Sequence, residues 1–496
     1  RAQASAPLVE VLRAYAARDL AAFHTPGHKQ GRAAPAELVE LLGRDVFRVD
    51  LTRLPETDSL HEPQGVLKEA QALAAEAHGA DDSWFLVNGS TAGNLAMLLA
   101  TCGPGDEVLV PRNAHRSVLS GLVLTGARPV YLRPEWDEAL GLDHCVTAET
   151  VERALDEHPD ARAVCALHPT YHGAVSDLRR IAALCHARGK PLLVDEAHGP
   201  HFHFHPALPV SALEAGADLV VQSSHKLTSA MTQASLLHAR HRVGPSGQPL
   251  VDPARLRQAL QLVQSTSPSY VLMASLDAAR RQLAMEGERL LDASLRLAED
   301  ARWRLNAIPG VSVFGRERVG RPGLFALDVT RLTIDVTGLG VTGFELLPLL
   351  GTAYGVQPEM ATLHHVLLLV TPGNSAADLD RVVAAFESLS KRGTPSAIPR
   401  LAAVPEPLPS PCALPELAMT PRDAFFARTE TVRFEASVGR VSAELVAPYP
   451  PGIPVLAPGE VVSTEAAEYL RRVQRMGATL HGPEDAQLRT LKVVRR

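Results

Sequence analysis

Cysteine is sparse and unpaired in this sequence. The five cysteines, at positions 102, 145, 165, 185 and 412, form no CxxC pair. That argues against both a disulfide framework and a zinc site, and for buried thiols in a reducing cytoplasm. A basic excess is also missing. The formal net charge is −6 and no stripe of Lys and Arg runs along the chain, so no nucleic acid is expected as a partner. A membrane span needs about 20 consecutive apolar residues, whereas apolar runs here, such as Val366–Val370, are the size of strands. The opening Arg-Ala-Gln-Ala-Ser-Ala-Pro holds no apolar centre of a signal peptide, and a cytoplasmic protein is the expectation. No GxGxxG turn follows the first apolar strand, against a nucleotide-binding oxidoreductase. What is left is 46% hydrophobic and 21% charged over 496 residues, the composition of a globular chain with room for two or three domains.

Hydrophobic periodicity divides the chain. Residues 1–63 begin with an amphipathic helical pattern that sets Leu8, Val11, Leu12 and Tyr15 on one face, then become polar and rich in Pro and Gly. Over 64–308, helical stretches alternate with short, nearly continuous apolar strands: Trp84–Val87, Glu107–Val110, Pro129–Leu132, Ala163–Leu167, Pro191–Val194 and Asp218–Gln222. Such alternation predicts an α/β unit, a mostly parallel sheet covered on both faces. A long helix over Leu276–Ala307 would lead out of it. A smaller α+β unit is expected over 309–392, from strand-like Val311–Phe314, Leu324–Asp328 and Val366–Val370 and helical Gly343–Tyr354 and Ala376–Ser388. Eight prolines make 393–421 a linker or surface strap, and 422–496 would form a C-terminal α+β unit.

Three segments place reactive groups where an apolar strand ends. Val220–Lys226 closes on two hydroxyls, an imidazole and the Lys226 amine; Leu192–Gly199 reaches the Asp195 carboxylate; Phe85–Asn94 carries a hydroxyl-rich turn, Gly89-Ser90-Thr91, between strand and helix. Ligands of open α/β sheets bind beyond the strand C-termini. An amine, an acid and a helix N-terminus that favours phosphate are the parts needed to hold pyridoxal phosphate. Each part alone has a plainer explanation: a surface lysine, a strand-end cap, a helix cap. Their order along the chain favours the joint reading. His115, after Glu107–Val110, could stack on the cofactor ring, and Thr170, Tyr171 and His172, after Ala163–Leu167, could reach its phenolic oxygen. His201, His203 and His205 would share one face of an extended segment, but Phe202 and Phe204 interleave and no further ligand cluster stands near, so no metal is expected.

The chain resembles the fold-type-I pyridoxal-phosphate enzymes and, within them, the bacterial ornithine/lysine/arginine decarboxylases. The segments that carry the likeness are HTPGHKQG (24–31), DSLHEPQG (58–65), NGSTAGN (88–94), RNAHRS (112–117), HPTYHG (168–173), DEAHG (195–199), QSSHK (222–226), STSPSY (265–270) and PYPPGIPVLAPGE (448–460). The resemblance implies that Lys226 holds pyridoxal 5'-phosphate covalently and that Asp195 faces its ring nitrogen. It further implies a stacking role for His115, phosphate contacts for Ser90 and Thr91, cofactor contacts for Ser223 and His225, and a place near the ring for His198; Gly89 and Thr170 are counted with the cofactor contacts from their strand-end positions. STSPSY would lie at a subunit interface. With HTPGHK starting at residue 24, a homo-oligomer of dimer or tetramer size is expected rather than a decamer.

The implied reaction is α-decarboxylation of a basic amino acid, with Lys226 or His225 returning a proton to Cα. By analogy with the shorter members of that family, arginine, giving agmatine, ranks first, lysine to cadaverine second and ornithine to putrescine third; a planar guanidinium and a compact ammonium would ask for different pockets. Glu444, Glu359 and Glu460 are the candidate partners for the substrate's distal cation. The competing readings are an aminotransferase of the same fold and a catalytically silent regulator of polyamine enzymes.

Overall fold

The apolar runs become strands because both faces of their sheet are covered. In the computed structural model, which describes residues 2–392, 410, 414–449 and 452–495, the central sheet has seven strands. Their spatial order is Asp82–Leu86, Ser235–Ala239, Leu219–Gln222, Leu192–Asp195, Ala163–Leu167, Glu107–Pro111 and Arg128–Leu132. Ser235–Ala239 runs antiparallel to both neighbours, and the pairings among the other strands are parallel. Side chains alternate between faces. Val108, Val110, Leu193 and Val221 join one buried cluster, while Leu109, Val164, Val194 and Val220 join another on the opposite side. The helix Gly89–Thr101 packs so closely that a Cβ on Gly93 would collide with the Val221 side chain.

Helix Tyr270–Asn306 is 37 residues long, about 55 Å at the α-helical rise. It ties three cores together. Tyr270, Met273 and Leu276 pack with Leu8, Leu12 and Tyr15 of helix Pro7–Ala16. Leu291 and Leu295 lie with Phe202 and Phe314, and Ala298, Ala301 and Leu305 enter the core of a second sheet. That antiparallel sheet has the order Ser312–Val313, Arg331–Asp335, His365–Leu369, Met360–Ala361 and is flanked by helices Gly343–Tyr354 and Ala376–Arg392. Residues near the C-terminus add two two-stranded ribbons, Thr429–Arg433 with Thr490–Val494 and Ala447–Tyr449 with Thr479–His481, and helix Thr464–Arg475. A buried Arg112–Glu460 ion pair, supported by Arg112 Nη2 donating to the Val455 carbonyl at 2.9 Å, fastens this region to the central sheet.

Several expectations are corrected. The run Leu324–Asp328 contributes a strand of two residues, Ala326–Leu327, which pairs with Ala174–Val175, and the longer strand Arg331–Asp335 was not anticipated. Residues 201–205 are not extended: Phe202–Phe204 forms a 3-10 turn. His201, His203 and His205 accordingly face three different carboxylates, Asp328, Glu214 and Asp292. Most of the expected proline-rich linker, and Cys412, lie outside the described residues. No helix among the described residues is long and apolar enough to cross a membrane.

Candidate active site

Sheet register brings the separate sequence segments to one edge. Leu86 pairs with Ser235 and Gln222 with Leu236, so the turn after Leu86 and the turn after Gln222 flank the same strand end. Asp195 pairs with Val221 on one side and Leu167 on the other. The loops that carry Gly89, Lys226, His198 and Tyr171 therefore leave the sheet side by side.

Lys226 lies in the short helix Ser224–Leu227, and its Nζ is 2.9 Å from His198 Nε2. The Tyr171 ring closes the group, 4.6 Å from the His198 imidazole between centroids and 5.9 Å from the amine. Burial pulls the Lys226 amine below the ordinary lysine range; Arg331 acts in the same direction, and Asp195 and Glu359 oppose it. A lysine so placed is biased toward the neutral, nucleophilic form. Burial, followed by the Lys226 and Arg331 cations, holds His198 well below the usual histidine range. His225 is half-buried and is shifted down first by burial and then by Lys226.

Asp195 is buried, and both its oxygens are engaged: Oδ2 accepts from Asn94 Nδ2 at 2.9 Å and Oδ1 from the Ala197 N–H at 3.1 Å. Asn94 Nδ2 also donates to Ser117 Oγ at 2.9 Å, and Ser117 Oγ lies 2.8 Å from His115 Nδ1. A polar chain thus links the carboxylate to the imidazole that caps helix Arg116–Thr125. Burial lowers the His115 pKa while Asp195 opposes the shift. Asn94 and Ser117 stand inside the quoted motifs NGSTAGN and RNAHRS, but their role appears only once helix and loop are packed together.

Gly89 has φ +71°, a conformation glycine adopts without strain, and it starts the 13-residue helix Gly89–Thr101. Gln264 steadies the approach to this turn, accepting from the Val87 N–H at 3.0 Å and donating to the Phe85 carbonyl at 3.2 Å. Ser90 is half-buried and Thr91 exposed at the helix N-terminus, where backbone N–H groups favour an anion. Ser223 and Ser224 are buried, and their hydroxyls meet no hydrogen-bond partner among the described residues. Thr170 is buried too, but its Oγ1 accepts from the Ala174 N–H at 3.2 Å within its own turn.

The three glutamates separate. The Glu359 carboxylate is exposed, and its charge acts on Lys226, Tyr171 and Arg331. Glu444 accepts from the Glu484 N–H at 2.7 Å and the Lys492 N–H at 2.8 Å. Glu460 is fully buried against Arg112. Among the described residues, no group of three or more His, Cys, Asp and Glu is arranged to hold a metal.

Comparison with known proteins shows the family. The chain is 42% identical to the arginine decarboxylase of Halalkalibacterium halodurans and 40% identical to that of Bacillus subtilis, each over 99% of this chain and 98% of the relative. Lysine decarboxylase A from Pseudomonas aeruginosa superposes with a TM-score of 0.83 at 24% identity, over 100% of this chain and 81% of that one. The fold is that of the fold-type-I enzymes. The Orn/Lys/Arg decarboxylase major domain matches residues 6–378 and the Orn/Lys/Arg decarboxylase C-terminal domain matches residues 410–486, and the chain belongs to the Orn/Lys/Arg decarboxylase family.

Proposed function

We propose that this chain binds pyridoxal 5'-phosphate at the strand-end crevice and removes the α-carboxylate of arginine, giving agmatine, a precursor for polyamine biosynthesis, and carbon dioxide. The observation that carries the chemistry is the partly buried Lys226 amine, 2.9 Å from His198 and in the field of the Asp195 carboxylate. The choice of arginine rests on the relatives of that name at 42% and 40% identity.

The residues fit the cofactor. Buried hydroxyls without partners are costly, and the Ser223 and Ser224 hydroxyls would be satisfied by phosphate oxygens. Ser90 and Thr91 would add donors from the helix N-terminus, Asp195 would hold the ring nitrogen, and His115 would cover the ring. When bound, the cofactor supplies an electron sink for the pair released as the Cα–carboxylate bond breaks.

The chain's own residues then manage one proton. Lys226 would hold the cofactor, and its amine, when free, would lie beside His198. Loss of carbon dioxide leaves Cα one proton short. The Lys226–His198 pair, within hydrogen-bond distance, can hold that proton and deliver it, and His225 is the alternative donor. Glu359, exposed at the mouth, would attract the substrate's distal cation. A homo-oligomer of at least two chains and a division at residues 64, 309, 393 and 422 belong to the same reading. A cytoplasmic setting suits the buried, free thiols of Cys102, Cys145, Cys165 and Cys185.

Incubation with arginine, lysine and ornithine separately, with products identified by mass and carbon dioxide measured, tests the proposal. Agmatine with equimolar carbon dioxide is expected. Preferential cadaverine or putrescine would replace the substrate, and keto acid without carbon dioxide would replace the reaction by transamination.

A further inference from the structure

Arg331 opens the strand Arg331–Asp335 of the second sheet, and its side chain is buried where that sheet meets the crevice. Its Nη2 donates to the His198 carbonyl at 2.7 Å and its Nη1 to the Tyr171 carbonyl at 3.3 Å. Its Nε lies 3.4 Å from Asp328, which is also buried and in turn accepts from Thr330 Oγ1 at 2.7 Å and lies 3.1 Å from His201 Nε2. The two carbonyls belong to the residues whose side chains enclose the Lys226 amine. They sit on separate loops, one after Ala163–Leu167 and one after Leu192–Asp195, and a single planar fork spans both.

The imidazole of His198 has little else to orient it. Its Nδ1 is buried and meets no partner among the described residues, so apart from Lys226 and the Tyr171 ring its direction depends on where its backbone is held. We propose that Arg331 is a positioning residue for Lys226: by tying the backbones of His198 and Tyr171 together, it sets the imidazole and the phenol ring that hold the amine. The cofactor lysine is thereby registered to the second sheet, although neither loop belongs to it. Arginine is required rather than lysine, because two divergent carbonyls need a rigid fork and an ammonium can serve one of them. The charged and titratable groups facing Lys226 are Asp195, Glu359, Arg331, His198, His115, His225 and Tyr171. Arg331 adds a buried positive charge to that set.

This inference rests on Lys226 being the cofactor lysine, which turnover and the cofactor absorbance band of the unaltered protein test by themselves. Arg331→Lys keeps the charge and loses the fork. Full-length cofactor-free protein is treated with an amine-reactive ester from about pH 6 to about pH 10, and modification of Lys226 is followed by peptide mass. The expected result is an upward shift of at least about half a pH unit in the Lys226 midpoint as the amine loosens toward solvent. In the cofactor-loaded protein, kcat should fall about 10-fold with KM within about 3-fold. An unchanged midpoint overturns the proposal, whatever happens to activity, because a purely structural role would lower activity and stability together without retuning the amine. If Arg331→Lys does not accumulate folded, the double variant Arg331→Met with Asp328→Asn is compared in added guanidinium and in added methylammonium, which supply the same charge with and without the fork; guanidinium alone should return the Lys226 midpoint toward the parent, and equal effects of the two cations, or none, overturn the proposal.

Discussion

Asp195 and Glu196 are adjacent in sequence and differ in everything that surrounds them. Asp195 turns toward the crevice, with its charge acting on Lys226 and His115. Glu196 turns to the opposite side and is fully buried. Its Oε1 accepts from the Ala212 N–H at 2.7 Å and its Oε2 from Gln222 Nε2 at 2.6 Å. Gln222 Oε1 lies 3.1 Å from His238 Nε2, and His238 Nδ1 lies 2.6 Å from Ser83 Oγ, so the group is closed by the sheet itself. Burial pushes the Glu196 carboxyl up to about 8, against the pull of Gln222 and Ala212. Two carboxyls one residue apart are thus directed to opposite tasks by the alternation of a strand end: one answers cations in the crevice and the other is a neutral part of the core.

The comparison is broken most severely by removing the amine that Asp195 faces. Lys226→Ala should lower kcat on the order of 10⁴-fold while the far-ultraviolet circular dichroism stays that of the parent; appreciable turnover would dismiss Lys226 from the chemistry. Asp195→Asn comes next. It keeps the shape and removes the charge, and kcat should fall on the order of 100-fold. Glu196→Gln, by contrast, should leave kcat at neutral pH within about 3-fold of the parent, because the acid it replaces is already uncharged there. Equal losses in the two variants would mean that the two carboxyls do not divide as described.

Glu196 also carries a pH signature. Its folded pKa lies above the unfolded value, so the folded state binds the extra proton between them. The contribution of the neutral acid is complete below about pH 4.5, declines as pH rises toward 8 and is lost above it. Relative to Glu196→Gln, the parent should therefore lose stability between pH 5 and 8, by roughly 4 kcal/mol at most, in denaturant titrations of both proteins. A difference that stays flat over that range would show that the carboxyl is already ionised inside the fold.

Legibility followed how local each signal was. The strands Ala163–Leu167, Leu192–Asp195 and Leu219–Gln222 could be read because burial on both faces makes the run apolar in sequence. Ser235–Ala239 could not, since its Ser235 and His238 interrupt the run and His238 finds its partners, Ser83 and Gln222, on the two neighbouring strands. Arg331 was invisible for the same reason: an arginine amid apolar residues has no meaning until the carbonyls of Tyr171 and His198 are brought to it. The order of the turn, the acid and the amine was legible because each closes its own strand. Asn94 and Ser117, which join acid to imidazole, act across packed elements. The alternating histidines are not extended because the strand already ends at Asp195, and a turn and then a 3-10 turn follow.

Glu359 and Glu444 repeat the same contrast in a weaker form, and it is the gentlest place to test it. Both are candidate partners for a substrate cation by sequence, yet one carboxylate is exposed beside the crevice and the other accepts two backbone N–H groups. Glu359→Ala should raise KM for arginine about 5-fold, the scale of a solvent-exposed ion pair, and change unfolding free energy by less than about 0.5 kcal/mol. Glu444→Ala should leave KM unchanged and destabilise by about 1–3 kcal/mol, because two amides lose their acceptor. Steady-state kinetics and denaturant midpoints on the two variants separate these outcomes. A KM effect at Glu444 with none at Glu359 would invert the assignment and move the distal-cation subsite to the C-terminal ribbons.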